Sequence, residues 1–283
     1  MLTSACARDD GQERGSLQNP QAGDAGPSVP ARQGILESVA TAQARPAITG
    51  PEKLGFLPDR GAFTFPAPYN TQGIRLTNAE DCGGADCVHY VGYSYWSNIN
   101  NHVGQAELFV LLGMQREQGG QGPTIWKVDK RSHEVSSLGP LFPASSGFSY
   151  ATTEGWYFSA SMATKLYVPS GSKIRRYDIL SKDHETVLDI TDEDKAGPGH
   201  ELWQVSSSAN DKVHAMTIRT LGDYRPVACA VYWEASGRYQ SWPVSGSFDE
   251  CHVDLSGQWL HIIDEAIAGS GASDNIIVKL DDF

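Results

Sequence analysis

Nowhere in its 283 residues does the chain hold an apolar run of the ~18 residues that a membrane-spanning helix requires. Basic residues are also scarce. With 22 Lys and Arg against 34 Asp and Glu, the formal charge is -12, and the resulting field repels a polyanionic backbone, which argues against nucleic acid as a partner. The phosphate-cradling GxxxxGK[ST] loop, the GxGxxG dinucleotide fingerprint and the HExxH zinc helix are all missing, so nucleotide and metalloprotease chemistry lack support. GFSYA around Ser149 has the outline of a nucleophile elbow with Ala for its last Gly. It leads into a strand, however, not a strand-to-helix turn.

What is present points to strands and turns. The chain carries 29 Gly, 15 Pro, seven Trp and 11 Tyr, a composition of turn formers and strand-favouring aromatics. Its length suits one large all-β domain or two smaller ones. Residues 1–50 are rich in Gly, Ala, Gln, Ser and Pro without apolar periodicity, so they read as a disordered tether. Residues 51–283 read as the folded domain.

Short apolar segments recur in the folded part. WQVSSSANDKVHAMTI reads as strand, turn, strand and is followed by CAVYWE; DECHVDLSGQWLHIID reads likewise and is followed by VKLD. SYATTEGWYFSAS followed by KIRRYD, and IRLTNAEDCGGADCVHYVGY followed after a long insertion by TIWKVD, are read on the same plan. The third strand of each unit ends in an acid, at Asp129, Asp178, Glu234 and Asp281, which are 49, 56 and 47 residues apart in turn. A fourth strand follows in three units: HEVSSLG, HETVLDI and RYQSWPV. Four strands at such a period are the sequence signature of propeller blades, whose strands are named A to D from the axis outward.

The D-x-S-G-x-W turn of Asp254, Ser256, Gly257 and Trp259 resembles the blade hairpin of TolB-like β-propellers, the superfamily that also contains the oligogalacturonate lyases. The WD40 Trp-Asp signature is absent. The resemblance covers about 60–283 and implies an all-β propeller with about four blades, the last incomplete. Two explanations of that incompleteness stand: the chain is a fragment of a six- to eight-bladed propeller, or GAFTFPAP donates the missing strand. At the start, MLTSACARDDGQERGS places small residues before Cys6, which resembles the lipobox of bacterial lipoproteins. That implies acylation at Cys6 and a periplasmic or cell-surface address, with membrane contact only through the anchor. Only five residues precede Cys6, so this reading needs a longer leader, and the alternative is a chance match.

Cys82 and Cys87 flank a Gly-Gly turn and suit a small disulfide loop, and a zinc-ligand pair has similar spacing. Cys229 and Cys251 read as two buried free thiols.

The loops before strand A and between strands B and C share one face of a propeller, where ligands commonly bind. Expected there are Asn98, Asn101 and His102 on the insertion of the first unit, His200, Glu201 and Gln204 at the start of the third strand A, and Asp249 with Glu250 at the start of the fourth. Amides, imidazoles and carboxylates suit sugar hydroxyls or a cation. Oligogalacturonate lyases hold a metal with histidines and a glutamine, which makes His102, His200, Gln204 and Glu250 candidate ligands of a divalent cation, with His102 or His200 as catalytic base. Asp254 reads as a turn former and His214 as a satisfied core histidine. The two functional readings are a module that binds a glycan or a protein partner, and a metal-assisted lyase or hydrolase acting on an acidic oligosaccharide.

Overall fold

The computed structural model describes residues 47, 55–89, 98–143, 146, 148, 156–244, 247–265, 269 and 271–280. Cys6, Ser149 and Asp281 lie outside them.

Among the described residues a two-stranded sheet comes first, and four larger antiparallel sheets then follow one another along the chain. In the third, strands A to D are β12 (His200–Ser207), β13 (Val213–Thr220), β14 (Pro226–Trp233) and β15 (Arg238–Pro243), each paired with the next. The second repeats this with β8 (Tyr157–Phe158), β9 (Lys165–Ser170), β10 (Lys173–Asp178) and β11 (His184–Asp189). In the first, strand A is split into β3 (Val88–His89) and β4 (Ile99–Asn100), both lying along β5 (Glu107–Met114), and β6 (Gly122–Asp129) and β7 (Val135–Pro140) complete it. The fourth holds β16 (Cys251–Val253), β17 (Trp259–Asp264) and β18 (Asp274–Lys279). Meandering four-stranded sheets in sequence order are propeller blades.

Blades one and two pack through Phe109, Leu111, Ile125, Trp156 and Leu166; two and three through Tyr167, Ile174, Leu202, Met216 and Ile218; three and four through Ala215, Cys229, Val231, Cys251 and Leu260. A middle blade is covered on both faces, so its B and C strands read as continuous apolar runs, not alternating ones.

Three expectations need correction. ELFVLLGM, read as part of an insertion, is strand B of the first blade, and KLYVPS is strand B of the second. Val88–His89 therefore belongs to strand A, and the turn at 101–106 joins A to B. GAFT does not close the fourth blade: β1 (Gly61–Thr64) pairs with β2 (Gln72–Arg75). Cys229 and Cys251 are not free thiols but a disulfide joining strand C of the third blade to strand A of the fourth, with Cα atoms 6.1 Å apart. Cys82 and Cys87 are bonded as expected, with Cα atoms 5.5 Å apart, next to a short 3-10 turn that Asn78 caps.

The turns place their polar residues where backbone amides need acceptors. Asp254 accepts from the amides of Ser256 (3.1 Å), Gln258 (3.0 Å) and Trp259 (3.0 Å), so it forms the A–B hairpin as its turn chemistry predicts. Neighbouring A–B turns are tied together. Asn100 donates to the Ala163 carbonyl (2.6 Å), His102 Nε2 to the Ser159 carbonyl (3.0 Å), and the Ala209 amide to the Leu255 carbonyl (2.8 Å). Asp211, 3 % exposed, reaches from the third blade to accept from Ser159 Oγ (2.7 Å), the Ala160 amide (3.0 Å), and the amide (2.8 Å) and Oγ (2.5 Å) of Ser161.

Candidate functional site

Strand A sets the geography of the molecule. The chain enters β12 at His200 and leaves it at Ser207, so the two ends of an eight-residue strand lie about 23 Å apart at ~3.3 Å per residue. His200, Glu201, Asp249 and Glu250 sit at the start of their A strands, on one face. Asn101 and His102 sit on an A–B turn and therefore belong to the other face, with Asp211 and Asp254. Asn98 flanks strand A of the first blade, where its amide donates to the Leu111 carbonyl (3.3 Å).

At the start of the third strand A the local sequence builds a compact cluster. Glu201 pairs across the ladder with Arg219, and its nearly buried carboxylate accepts from Arg219 Nε at 2.6 Å. The guanidinium lies 3.8 Å from the centre of the Trp203 ring and 4.6 Å from that of Tyr224, so it is held between two aromatic rings. Such stacking suits a flat, weakly hydrated cation. Tyr224 stands on the B–C turn with φ 58, an uncommon backbone conformation for an aromatic residue, and is 58 % exposed. Leu221 beside it is exposed as well, and its amide donates to the Gly199 carbonyl (2.8 Å), joining the B–C turn to the segment before His200.

Gln204 explains why simple alternation misreads this strand. Its φ of 50 makes a bulge between Trp203 and Ser206, which re-aims the residues beyond it. Leu202 and Val205, on opposite sides by alternation, both enter the core. Gln204 Oε1 accepts from Thr217 Oγ1 (3.1 Å). His200 Nδ1 donates to the Gly197 carbonyl (3.3 Å). On the neighbouring blade Glu250 lies 3.2 Å from His252 Nε2, and Asp249 is exposed, its amide donating to the Ile263 carbonyl (2.9 Å).

The expected cation set does not fit this arrangement. His102 stands on the opposite face from His200 and Glu250, while Gln204 and Glu250 engage Thr217 and His252. Among the described residues no three His, Cys, Asp or Glu side chains converge as a metal site needs. The residues that sequence reasoning passed over are Trp203, Arg219 and Tyr224. Their signal was faint: an aromatic and a basic residue in strands already explained by the core.

No protein-family model matches the sequence, and no curated protein does either. Among solved structures, an oligogalacturonate lyase in complex with manganese is similar at 12 % identity and a TM-score of 0.47, over 73 % of this chain and 53 % of that one. An oligogalacturonate lyase from Vibrio parahaemolyticus is similar at 9 % identity and a TM-score of 0.47, over 74 % and 53 %. A GH74 enzyme from Niastella koreensis follows at 9 % identity and a TM-score of 0.38, over 74 % and 33 %. The chain spans about half the length of the two lyases. The blade assignment rests on strand order and register, not on these likenesses.

Proposed function

We propose that the chain is a propeller-borne binding module that takes a glycan at the start of the third and fourth A strands. The observation that carries this reading is the Trp203–Arg219–Tyr224 stack fixed by Glu201. A sugar ring has an apolar C–H face and a hydroxyl edge. Tyr224 offers an exposed aromatic face for the first, and His200 and Asp249 at the same end offer donors and acceptors for the second. Arg219 stiffens the tyrosine, which reduces the ordering cost of binding. Its charge is already matched by Glu201 and the whole chain is acidic, so a neutral or weakly acidic glycan suits the site better than a polyanion. The two disulfides fit an oxidising, extracytoplasmic setting. The metal-assisted lyase or hydrolase acting on an acidic oligosaccharide is the alternative reading.

The test is calorimetric titration of the purified protein with a panel of neutral and uronic-acid oligosaccharides. At least one should bind, and Tyr224→Ala should weaken it roughly tenfold or more, as losing a stacked aromatic contact does. No binding across the panel, or binding indifferent to Tyr224→Ala and Arg219→Ala, sinks the proposal. Absorbance from unsaturated sugar products on adding Mn²⁺ would replace it with the lyase.

A further inference from the structure

The internal repeat identifies three positions at which the third blade departs from its neighbours. The last ladder pair before the A–B turn is Phe158 with Leu166 in the second blade and Val253 with Leu260 in the fourth, both apolar, while in the first it is Asn100 with Phe109. In the third blade the same pair is Ser207 with His214. The acid closing strand C differs as well. Asp129 and Asp178 cap their own C–D turns, accepting from the amides of Arg131 (2.9 Å) and Ser132 (2.7 Å), and of Leu180 (2.8 Å) and Ser181 (2.9 Å). Glu234, one methylene longer, turns instead into the seam between blades two and three and accepts from His214 Nε2 (2.8 Å), Tyr167 OH (3.1 Å) and Arg176 Nη1 (2.9 Å).

We infer that Ser207, His214 and Glu234 form a nucleophile–base–acid relay that hydrolyses a carboxylic ester, at a site separate from the glycan platform and on the opposite face. The hydrogen-bond pattern sets the tautomer. Glu234 and the fully buried His214 share one hydrogen bond, and an ionised carboxylate only accepts, so Nε2 carries the proton. Nδ1 is left bare, and Ser207 Oγ and Tyr157 OH both lie within hydrogen-bond reach of it, the tyrosine at 2.9 Å. One arrangement satisfies every group: Tyr157 O–H donates to Ser207 Oγ, Ser207 O–H donates to Nδ1, and Nε2–H donates to Glu234. Burial favours the neutral form of Glu234, but the bonds from His214 and Arg176 outweigh it and hold the acid below its ordinary value, so it stays ionised. Burial pushes the Tyr157 phenol well above its ordinary value, which keeps it a donor.

The chemistry closes with water as the only co-reactant. Ser207 Oγ attacks the ester carbonyl while its proton passes to Nδ1, and the resulting imidazolium is stabilised by Glu234. Tyr157 O–H, released from Oγ, can donate to the oxyanion. Collapse expels the alkoxide, which takes the proton from Nδ1. Water then attacks the acyl-Ser207 ester with His214 again as base, releasing the acid and restoring the serine. Ser207 is only partly buried and ends strand A, with the buried Ser208 between it and the exposed Ala209, so the approach required of an acyl group is from the A–B rim.

The experiment is to treat the full chain with diisopropyl fluorophosphate and locate the adduct by peptide mass spectrometry, with p-nitrophenyl acetate hydrolysis as the kinetic readout. Expected is one adduct, on Ser207, whose formation slows about 100-fold or more in His214→Gln, the range a general base supplies. Glu234→Gln, at a partly exposed position, should slow it at least tenfold with an unchanged circular dichroism spectrum, which covers the case in which His214→Gln fails to fold. An unmodified Ser207 in folded protein under conditions that label a serine esterase would overturn the inference. Labelling of Ser207 at the same rate in Glu234→Gln would overturn it too. Neither outcome bears on glycan binding.

Discussion

Replacing Asp211 tests how the blades are held to one another. The carboxylate is buried at the tip of the third A–B turn and receives two amides and two hydroxyls from the second. Hydrogen bonds to a charged group contribute about 1.5–3 kcal/mol each, but four of them do not simply add. Ala160 and Ser161 are exposed, so their amides return to water when the acid is lost. Ser159, 1 % exposed, keeps an alternative role, because its Oγ accepts from the Met162 amide (2.7 Å). The net loss in Asp211→Ala is therefore about 2–3 kcal/mol, to which φ 59 adds about 1 kcal/mol for a side chain that cannot support a left-handed backbone. Asp211→Asn tolerates that backbone and keeps one acceptor oxygen, so it should lose only about 1–2 kcal/mol. Urea unfolding followed by tryptophan fluorescence measures the loss, and hydrogen exchange at Ala160 and Ser161 localises it. If Asp211→Ala shifts stability by less than about 0.5 kcal/mol with those amides still protected, the tie is incidental and the reasoning fails.

Two further outcomes can be checked on the same protein. Non-reducing mass spectrometry should find both cysteine pairs bonded, and replacing Cys229 and Cys251 together by Ala should cost roughly 3 kcal/mol for a separation of 22 residues; free thiols at those two positions would contradict the pairing. Acid should weaken the second blade. Burial would raise Asp178 and Asp189, but amide and hydroxyl donors with Lys165 hold Asp178 to about 2, and Lys173 with Thr191 does the same for Asp189. Depressed folded-state values mean a contribution that is complete above the ordinary carboxylate range and lost as pH falls through about 4 towards 2. With screening it amounts to ~1 kcal/mol each, so the difference in urea midpoint between pH 6 and pH 2.5 should shrink in Asp178→Asn, and an unchanged difference would count against the assignment.

The blade repeat was readable because C and D strands such as KIRRYD and HETVLDI are separated by polar turns whose acid is needed for capping. Strand B of the first blade was not. ELFVLLGM is covered on both faces, so it shows no alternation and reads as insertion, and counting it as strand B places His102 on the opposite face. The bulge at Gln204 misled in the same way, because a two-residue period has no place for an extra residue. The Cys229–Cys251 bond depends on two blades meeting, which a separation of 22 residues does not reveal. Trp203, Arg219 and Tyr224 come together only after the ladder between β12 and β13 and the following turn are fixed. His214 was rightly read as buried and satisfied; the serine opposite it and the glutamate at the end of strand C became notable only once the register aligned them with apolar and turn-capping residues in sister blades.

The bond between Cys229 and Cys251 also closes a covalent ring around β15, the outermost strand of the third blade, together with the whole crossing to the fourth. A protease that cuts anywhere in the loop after Trp242 produces two pieces that stay joined until a reductant is added. The fourth blade likewise cannot be traded with that of another copy without breaking sulfur from sulfur first. The ring makes the outer rim of this seam tolerant of a cut, since a nick anywhere between the two cysteines leaves both blades covalently joined.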